Sequence, residues 1–251
     1  MIFKMEQIKM GKIPDQPQDI FVEFTKDYLS VFNKDLISLM LYGSAASGAY
    51  VKGKSDINVL VVLTPGGINH LEDAFSLVKS WRKRNVATPL VMTRNFISSS
   101  LDAYPIEFLN MKNNSILMYG ENVLDSLVFK PEDLRLQIER ELKSKILLLR
   151  EGYLDSEGSA RKLRQLIGRS LTAFVAIFNA MLYLKQNQAP RNRRETLDEM
   201  KRIFTIDAEV FRLCFEIRQD TDKLSGKEII DIFKKYLQEA EKACSIIDEL
   251  K

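Results

Sequence analysis

Short apolar runs and helical repeats alternate through the first half of the chain. Residues 36–42 and 57–63 are apolar runs of strand length, and each stops at turn residues, Gly43–Ser44 and 64–67. Apolar runs bounded by turn signals are typical of buried strands. Three further runs predict a third, a fourth and a fifth strand: 88–93, 105–111 and 115–119. Apolar residues at helical spacing predict the intervening helices: 20–32, 68–84 and 96–101. Strands alternating with helices predict an α/β (α+β) domain built on a mixed sheet.

The second half of the chain carries only the helical repeat. Beyond Lys130–Pro131, apolar residues recur every three or four positions, and no strand pattern is present. The repeats cover four stretches: 134–149, 163–184, 200–217 and 229–250. Such stripes predict an all-α helical bundle. The sequence therefore predicts two domains, an α/β domain at 1–128 and a helical bundle domain at 129–251.

The distribution of charge along the chain adds one candidate binding segment to this prediction. The chain has 37 Lys and Arg against 34 Asp and Glu, and a net charge of +3 is too small to indicate a nucleic-acid partner. Residues 158–194, however, contain eight basic residues and no Asp or Glu. This stretch fits either contacts with phosphate groups or a basic helix face in solvent. Nucleic acid is therefore a weakly supported partner.

The remaining composition favours a cytoplasmic protein without a membrane partner. No run approaches the roughly 18 apolar residues that a membrane helix needs. The first twelve residues are too polar for a secretory signal. The two cysteines, Cys214 and Cys244, have apolar neighbours and no metal-binding or disulfide spacing, as is usual for buried thiols.

The stretch 41–62 contains the residues that indicate chemistry. A predicted strand runs into Gly43–Ser44, and a short helix is predicted from Ser44 to about Tyr50. Glycine lets the backbone approach a ligand closely, and amides at a helix N-terminus attract anions. Asp56 and Asn58 follow at the start of the next strand, two residues apart and hence on one face. Oxygen ligands at that spacing suit Mg²⁺, although Asp56 also fits a residue that only caps the turn before the strand.

Gly-Ser, a spacer of about ten residues and then Ser-Asp-Ile-Asn before an apolar run resembles the signature of the DNA polymerase β nucleotidyltransferase superfamily. The motif covers about 36–63. An additional helical domain resembles its minimal and antibiotic-modifying members, such as kanamycin and streptomycin nucleotidyltransferases. The resemblance implies that Gly43 and Ser44 bind the phosphates of a nucleoside triphosphate and that Asp56 binds Mg²⁺. Lys52 and Lys54 flank this site, and each fits either a phosphate contact, for which Lys54 is the candidate, or a solvated loop residue.

In this superfamily a third carboxylate, on a later strand, acts on the attacking hydroxyl. Glu107 is the candidate, because it is a lone carboxylate in the apolar run 105–111, where an unpaired charge is costly. A solvent-facing residue on an edge strand is the alternative. The resemblance thus implies metal ligands at Asp56, Asn58 and Glu107, with Asp56 and Glu107 also catalytic.

Asn58 departs from the family pattern, which has a second carboxylate at this position. An asparagine offers one neutral oxygen where an aspartate offers a charge that can bridge two metal ions. The predicted function is transfer of a nucleoside monophosphate, AMP from ATP, onto a hydroxyl of a small molecule or macromolecule with Mg²⁺. The alternative is a catalytically impaired relative that acts as a nucleotide-binding or regulatory partner module.

Overall fold

The computed structural model describes residues 12–190, 192–221 and 223–250. The polar start of the chain, up to residue 11, and Arg191 of the basic stretch lie outside the described residues. The chain divides into two compact units. The sheet unit contains residues 1–100 and 114–128, and the helical unit contains 101–113 and 129–251. This division differs from the contiguous domains 1–128 and 129–251, because residues 101–113 belong to the helical unit.

The sheet unit is built on four strands in the order β3-β2-β1-β4. Central β1 is antiparallel to β2 and to β4, whereas β2 and β3 are parallel, so the sheet is mixed. The strands are β1 Leu36–Tyr42, β2 Asn58–Leu63, β3 Leu90–Met92 and β4 Ser115–Gly120. Residues 39–41 of β1 and 59–63 of β2 are at most 1% exposed, which explains their unbroken apolar sequence.

The helices of the sheet unit are α1 Phe21–Phe32, α2 Pro65–Ile68, α3 Phe75–Arg82 and α4 Arg94–Ser99. Turns of 3-10 helix occur at Pro17–Ile20, Asn33–Asp35, Gly43–Ala45 and Leu71–Ala74. The helix predicted at 68–84 is therefore interrupted, and the one predicted at Ser44–Tyr50 is a single 3-10 turn. Phe24 and Tyr28 of α1 stack with ring centroids 4.3 Å apart in the unit's core.

The helical unit contains six helices among its described residues. They are α5 Pro105–Asn113, α6 Pro131–Ser156, α7 Ala160–Gln186, α8 Arg193–Phe204, α9 Ala208–Gln219 and α10 Gly226–Glu249. No strand is assigned in the described part of this unit, so the predicted fold class, a mixed-sheet α/β domain followed by a helical bundle, is confirmed. Aromatic rings from α7, α9 and α10 form the centre of its core: Phe174, Phe178, Phe211 and Tyr236.

Helix α7 is the one described helix that is long and apolar enough to cross a membrane, with a mean hydropathy of 1.5 over 18 residues. Half of that window is buried in the unit, where α7 packs against α5, α6, α8, α9 and α10. The same length and composition are found in core helices of soluble proteins, so this feature is weak evidence for a membrane span.

The strand predicted at 105–111 is wrong, because these residues form α5. A short apolar run has no periodicity that separates a strand from a buried helix. Pro105 begins this helix, at a position where its missing N–H costs nothing. Pro105, Ile106, Phe108 and Leu109 are all buried, whereas Glu107 between them is exposed.

Candidate nucleotide site in the sheet unit

The turn at Gly43 lies directly beside Asn58. Tyr42 at the end of β1 pairs with Asn58 at the start of β2, so the chain enters Gly43 next to the start of the neighbouring strand. Gly43 has a φ of +74°, and a Cβ placed on it would lie 3.3 Å from Asn58 Nδ2. Both the backbone conformation and the close approach therefore favour glycine at this position.

The turn after Gly43 is closed by its own backbone. The Gly43 carbonyl accepts hydrogen bonds from the amides of Ala46 and Ser47, each at 3.0 Å. The Ser44 carbonyl accepts one from the Ala49 amide. In contrast, the half-buried Ser44 side chain makes no hydrogen bond to any described residue. Its hydroxyl is therefore a free donor at the end of β1.

Asp56 and Asn58 lie on either side of a residue that is fully buried. Ile57 is 0% exposed, and its backbone bonds to Asn85 and Ala87 at 2.8 and 2.9 Å. Because side chains alternate along extended backbone, Asp56 and Asn58 emerge on the face opposite Ile57. Asp56 is exposed and Asn58 half-buried. The two candidate metal ligands therefore share one face at the edge where Gly43 turns.

The loop between Ser44 and Asp56 is held by residues near the start of the described chain. Lys52 forms an ion pair with Asp15, and its hydrogen bond holds the pKa of Asp15 below its usual value. The Tyr50 hydroxyl donates to the Pro14 carbonyl at 3.0 Å. Lys54 is exposed and forms no ion pair within the described part of the chain. Of the two lysines in this loop, Lys54 is thus the one available to a ligand.

The neighbouring strand adds no carboxylate to this edge. Ile57 bridges to Val86, and Leu60 of β2 pairs with Leu90 of β3, so Ala87 and Thr88 lie alongside Asn58 on this side. In the described parts of the chain, no three His, Cys, Asp or Glu side chains cluster as a metal site. Asp56 and Asn58, completed by phosphate oxygens, fit one Mg²⁺, which commonly binds through one or two protein ligands. They do not fit two ions, which need shared carboxylates.

Glu107 lies in the helical unit, on α5, rather than on a strand of the sheet. Its carboxylate accepts a hydrogen bond of 2.8 Å from Gln137 Nε2. The Oε1 of Gln137, a residue only 5% exposed, accepts from the Ile106 amide, also at 2.8 Å. The assignment of Glu107 as a strand carboxylate is therefore wrong, and its role as third metal ligand stays a prediction. Gln137 was missed because its neighbours along the chain give no signal of this contact.

No family model and no curated protein matches the chain. Among solved structures, it is similar to spectinomycin adenyltransferase AAD(9) from Enterococcus faecialis, whose crystal structure contains ATP and spectinomycin. The TM-score is 0.53 at 12% sequence identity, and the match covers 89% of this chain and 98% of that chain. At this identity the likeness shows the fold alone. The chain thus has a nucleotidyltransferase-like fold.

Proposed function

We propose that the chain binds ATP with Mg²⁺ at the edge of the sheet unit and transfers its AMP onto a hydroxyl of a small molecule. The contact between Gly43 and Asn58 is the observation that carries this proposal. It brings a glycine turn with a free serine hydroxyl against the strand start that presents Asp56. A phosphate-binding turn beside oxygen ligands for Mg²⁺ is the combination that a nucleoside triphosphate requires.

Each residue of the proposed site has a separate task. Gly43 leaves room for phosphate oxygens near the backbone, and Ser44 donates its hydroxyl to them. Lys54 contributes a positive charge to the triphosphate. Asp56 and Asn58 hold Mg²⁺, which supplies positive charge to the phosphate oxygens when bound. Glu107, which belongs to the helical unit, stays a prediction as the group that accepts a proton from the attacking hydroxyl.

The acceptor class is suggested by the solved neighbour, which was crystallised with spectinomycin. A small molecule with hydroxyl groups is therefore the first class of acceptor to test. The proposal does not extend to spectinomycin itself, because 12% identity leaves the residues that would contact an acceptor unrelated.

A second candidate function is a nucleotide-binding module that no longer catalyses transfer. It is favoured by the neutral residues at the sheet edge, Asn58 on β2 and Thr88 before β3, which leave Asp56 as the one carboxylate at this edge among the described residues. With a single carboxylate, Mg²⁺–ATP still binds, but the charge needed for a second ion is missing. Such a module would act through a partner or a conformational response to the nucleotide.

Nucleotide binding is tested by thermal unfolding with and without Mg²⁺–ATP. A ligand at about 100 times its dissociation constant adds roughly 2.7 kcal/mol, which raises Tm by several degrees in a chain of this size. We expect this increase in wild type and its loss in Asp56→Asn. Asp73→Asn removes an exposed carboxylate elsewhere in the same unit and should keep the response. An unchanged Tm of wild type at millimolar ATP would refute the proposed site.

Asn58→Asp separates the two candidate functions. Without metal, the added carboxylate repels Asp56 and should lower the stability slightly. With Mg²⁺ the substitution should instead raise the stability, because the added negative charge binds the cation. Transfer is measured as labelled AMP on a panel of hydroxyl acceptors. Transfer by wild type that increases in Asn58→Asp supports the enzyme. Tighter Mg²⁺–ATP binding with no transfer by either protein supports the nucleotide-binding module.

A further inference from the structure

Helices α8 and α9 of the helical unit carry arginines at both ends of their interface. At one end, Arg212 of α9 forms ion pairs with Asp198 of α8 and with Glu209 of its own helix, the latter at 2.6 Å. The guanidinium charge of Arg212 therefore has two carboxylate partners, as is usual for arginines between helices.

At the other end, two arginines have no carboxylate partner among the described residues. The guanidinium of Arg193, the first residue of α8, lies 3.8 Å from the centroid of the buried Phe215 ring. Arg218, one turn beyond Phe215 on α9, donates a hydrogen bond to Thr172 Oγ1 of α7. Neither arginine forms an ion pair with any residue in 12–190, 192–221 or 223–250.

The surroundings of these two arginines are positively charged. Burial against Phe215 and then the charge of Arg218 lower the pKa of Arg193. The N-terminus of α8 adds partial positive charge at Arg193, where a helix favours an anion over a cation. Arg169 lies three residues before Thr172 and is exposed on the same side of α7. Neighbouring like charges without a counter-charge destabilise one another, and an anion that contacts both removes this effect.

We propose that Arg193 and Arg218 form a binding site for a phosphate group, either free or at the end of a small molecule. A guanidinium is a planar fork of donors that matches two phosphate oxygens at once. Thr172 holds the fork of Arg218, and Phe215 holds that of Arg193, so little ordering is needed on binding. A phosphate carries nearly two negative charges and offsets both arginines, whereas a carboxylate offsets one. This site lies wholly in the helical unit and is separate from the nucleotide site proposed at Gly43–Ser44.

Calorimetric titration tests the site in the absence of Mg²⁺ and at constant ionic strength. The probes are inorganic phosphate, pyrophosphate and phenyl phosphate, a monoester without a nucleoside. We expect binding that weakens about tenfold or more in Arg218→Gln, because a hydrogen bond to a charged group is lost. Arg193→Lys keeps the charge on Phe215 but loses the fork, and should weaken binding as well. Preference for phenyl phosphate over inorganic phosphate would indicate the end of a small molecule, and the reverse would indicate the free ion.

Arg212→Gln is the matched control, since it removes the same charge from the same helix at the paired end of the interface. It should leave phosphate binding unchanged. A second readout is Tm without phosphate: Arg218→Gln relieves the repulsion of Arg193 and should unfold no earlier than wild type, while losing the increase that phosphate gives. The proposal is wrong if phosphate binds equally to wild type, Arg218→Gln and Arg193→Lys. It is also wrong if Arg212→Gln loses as much phosphate binding as Arg218→Gln.

Discussion

Polar side chains have different surroundings in the two units. In the helical unit, the amides of Gln137 and Asn179 are each 5% exposed, and each uses both its oxygen and its nitrogen in hydrogen bonds. At the edge of the sheet unit, Asp56 is exposed and the Ser44 hydroxyl has no partner among the described residues. A buried polar group is usually paired within the protein, whereas an exposed one keeps its bonding capacity for water or a ligand. The comparison therefore indicates a structural role for the first group and leaves the second available to the proposed ligand.

The largest effect is expected from Asn179→Leu. The Asn179 oxygen accepts from Thr196 Oγ1 at 2.7 Å, and its nitrogen donates to Asn110 Oδ1 at 3.3 Å. Leucine leaves the half-buried Asn110 oxygen without this donor and the buried Thr196 hydroxyl without this acceptor, and we expect a loss of about 1–3 kcal/mol in the free energy of unfolding. Urea unfolding measures it. Gln165→Leu, an amide replaced at an exposed position of the same helix, should change stability by less than about 0.5 kcal/mol. Equal effects of the two substitutions would contradict the comparison.

Glu107 belongs to neither group, because it is exposed and yet bonded to the buried Gln137. Glu107→Leu leaves Gln137 Nε2 unpaired and should cost about 1 kcal/mol of stability. Glu107→Gln keeps an oxygen for this bond and should change stability by less than about 0.5 kcal/mol. If Glu107 also takes part in transfer, Glu107→Gln folds normally and loses the activity. If Glu107→Gln is active in transfer, the role of Glu107 is limited to its hydrogen bond with Gln137.

The structure of a segment can be predicted from sequence when its own residues and their immediate neighbours along the chain decide it. The apolar runs at 36–42, 57–63 and 115–119 lie in the sheet as predicted, because each is bounded by turn residues. The run at 105–111 is also short and mainly apolar, yet its residues pack in the helical unit. Its one local signal was Pro105, a residue that suits the first turn of a helix. Periodicity over so few residues does not decide between the two structures.

The candidate sites differ in the same way. Gly43, Ser44, Asp56 and Asn58 were predicted from spacing, because β1 and β2 are adjacent in the sequence and pair directly in the sheet. Arg193 and Arg218 were not paired with each other by any sequence pattern. Their proximity results from the packing of α8 on α9, which brings residues 25 positions apart to one surface. The basic stretch at 158–194 indicated the charge at Arg193, but the lack of a carboxylate partner among the described residues emerged only from the fold.

The smallest effect is expected at Asp27, a carboxylate of the sheet unit that is bonded, in contrast to Asp56. Asp27 accepts a hydrogen bond of 3.0 Å from Trp81 Nε1 across α1 and α3. Burial raises its pKa above the ordinary value of 3.8, despite that hydrogen bond and the nearby charges of Lys26 and Arg84, which lower it. A raised pKa in the folded state means that Asp27 contributes stability below pH 3.8, and that this contribution is lost as the pH rises through the folded pKa.

Asp27→Asn keeps an oxygen for Trp81 and removes the charge. Its stability relative to wild type should therefore increase as the pH rises from 3.8 through the folded pKa of Asp27, and stay constant above it. Because Asp27 is half-buried and screened by solvent, the difference should remain within about 0.5 kcal/mol. Urea unfolding of both proteins across this pH range measures it, with Asp73→Asn as the exposed control. If Asp27→Asn instead loses stability relative to wild type above the folded pKa of Asp27, the charged carboxylate is stabilised by Arg84. The ion pair of Arg84 with Glu23 lies beside Trp81. Attraction to Arg84, rather than the hydrogen bond from Trp81, would then hold the Asp27 carboxylate. Asp27 would differ from Asp56 in having a charged partner and not in its burial.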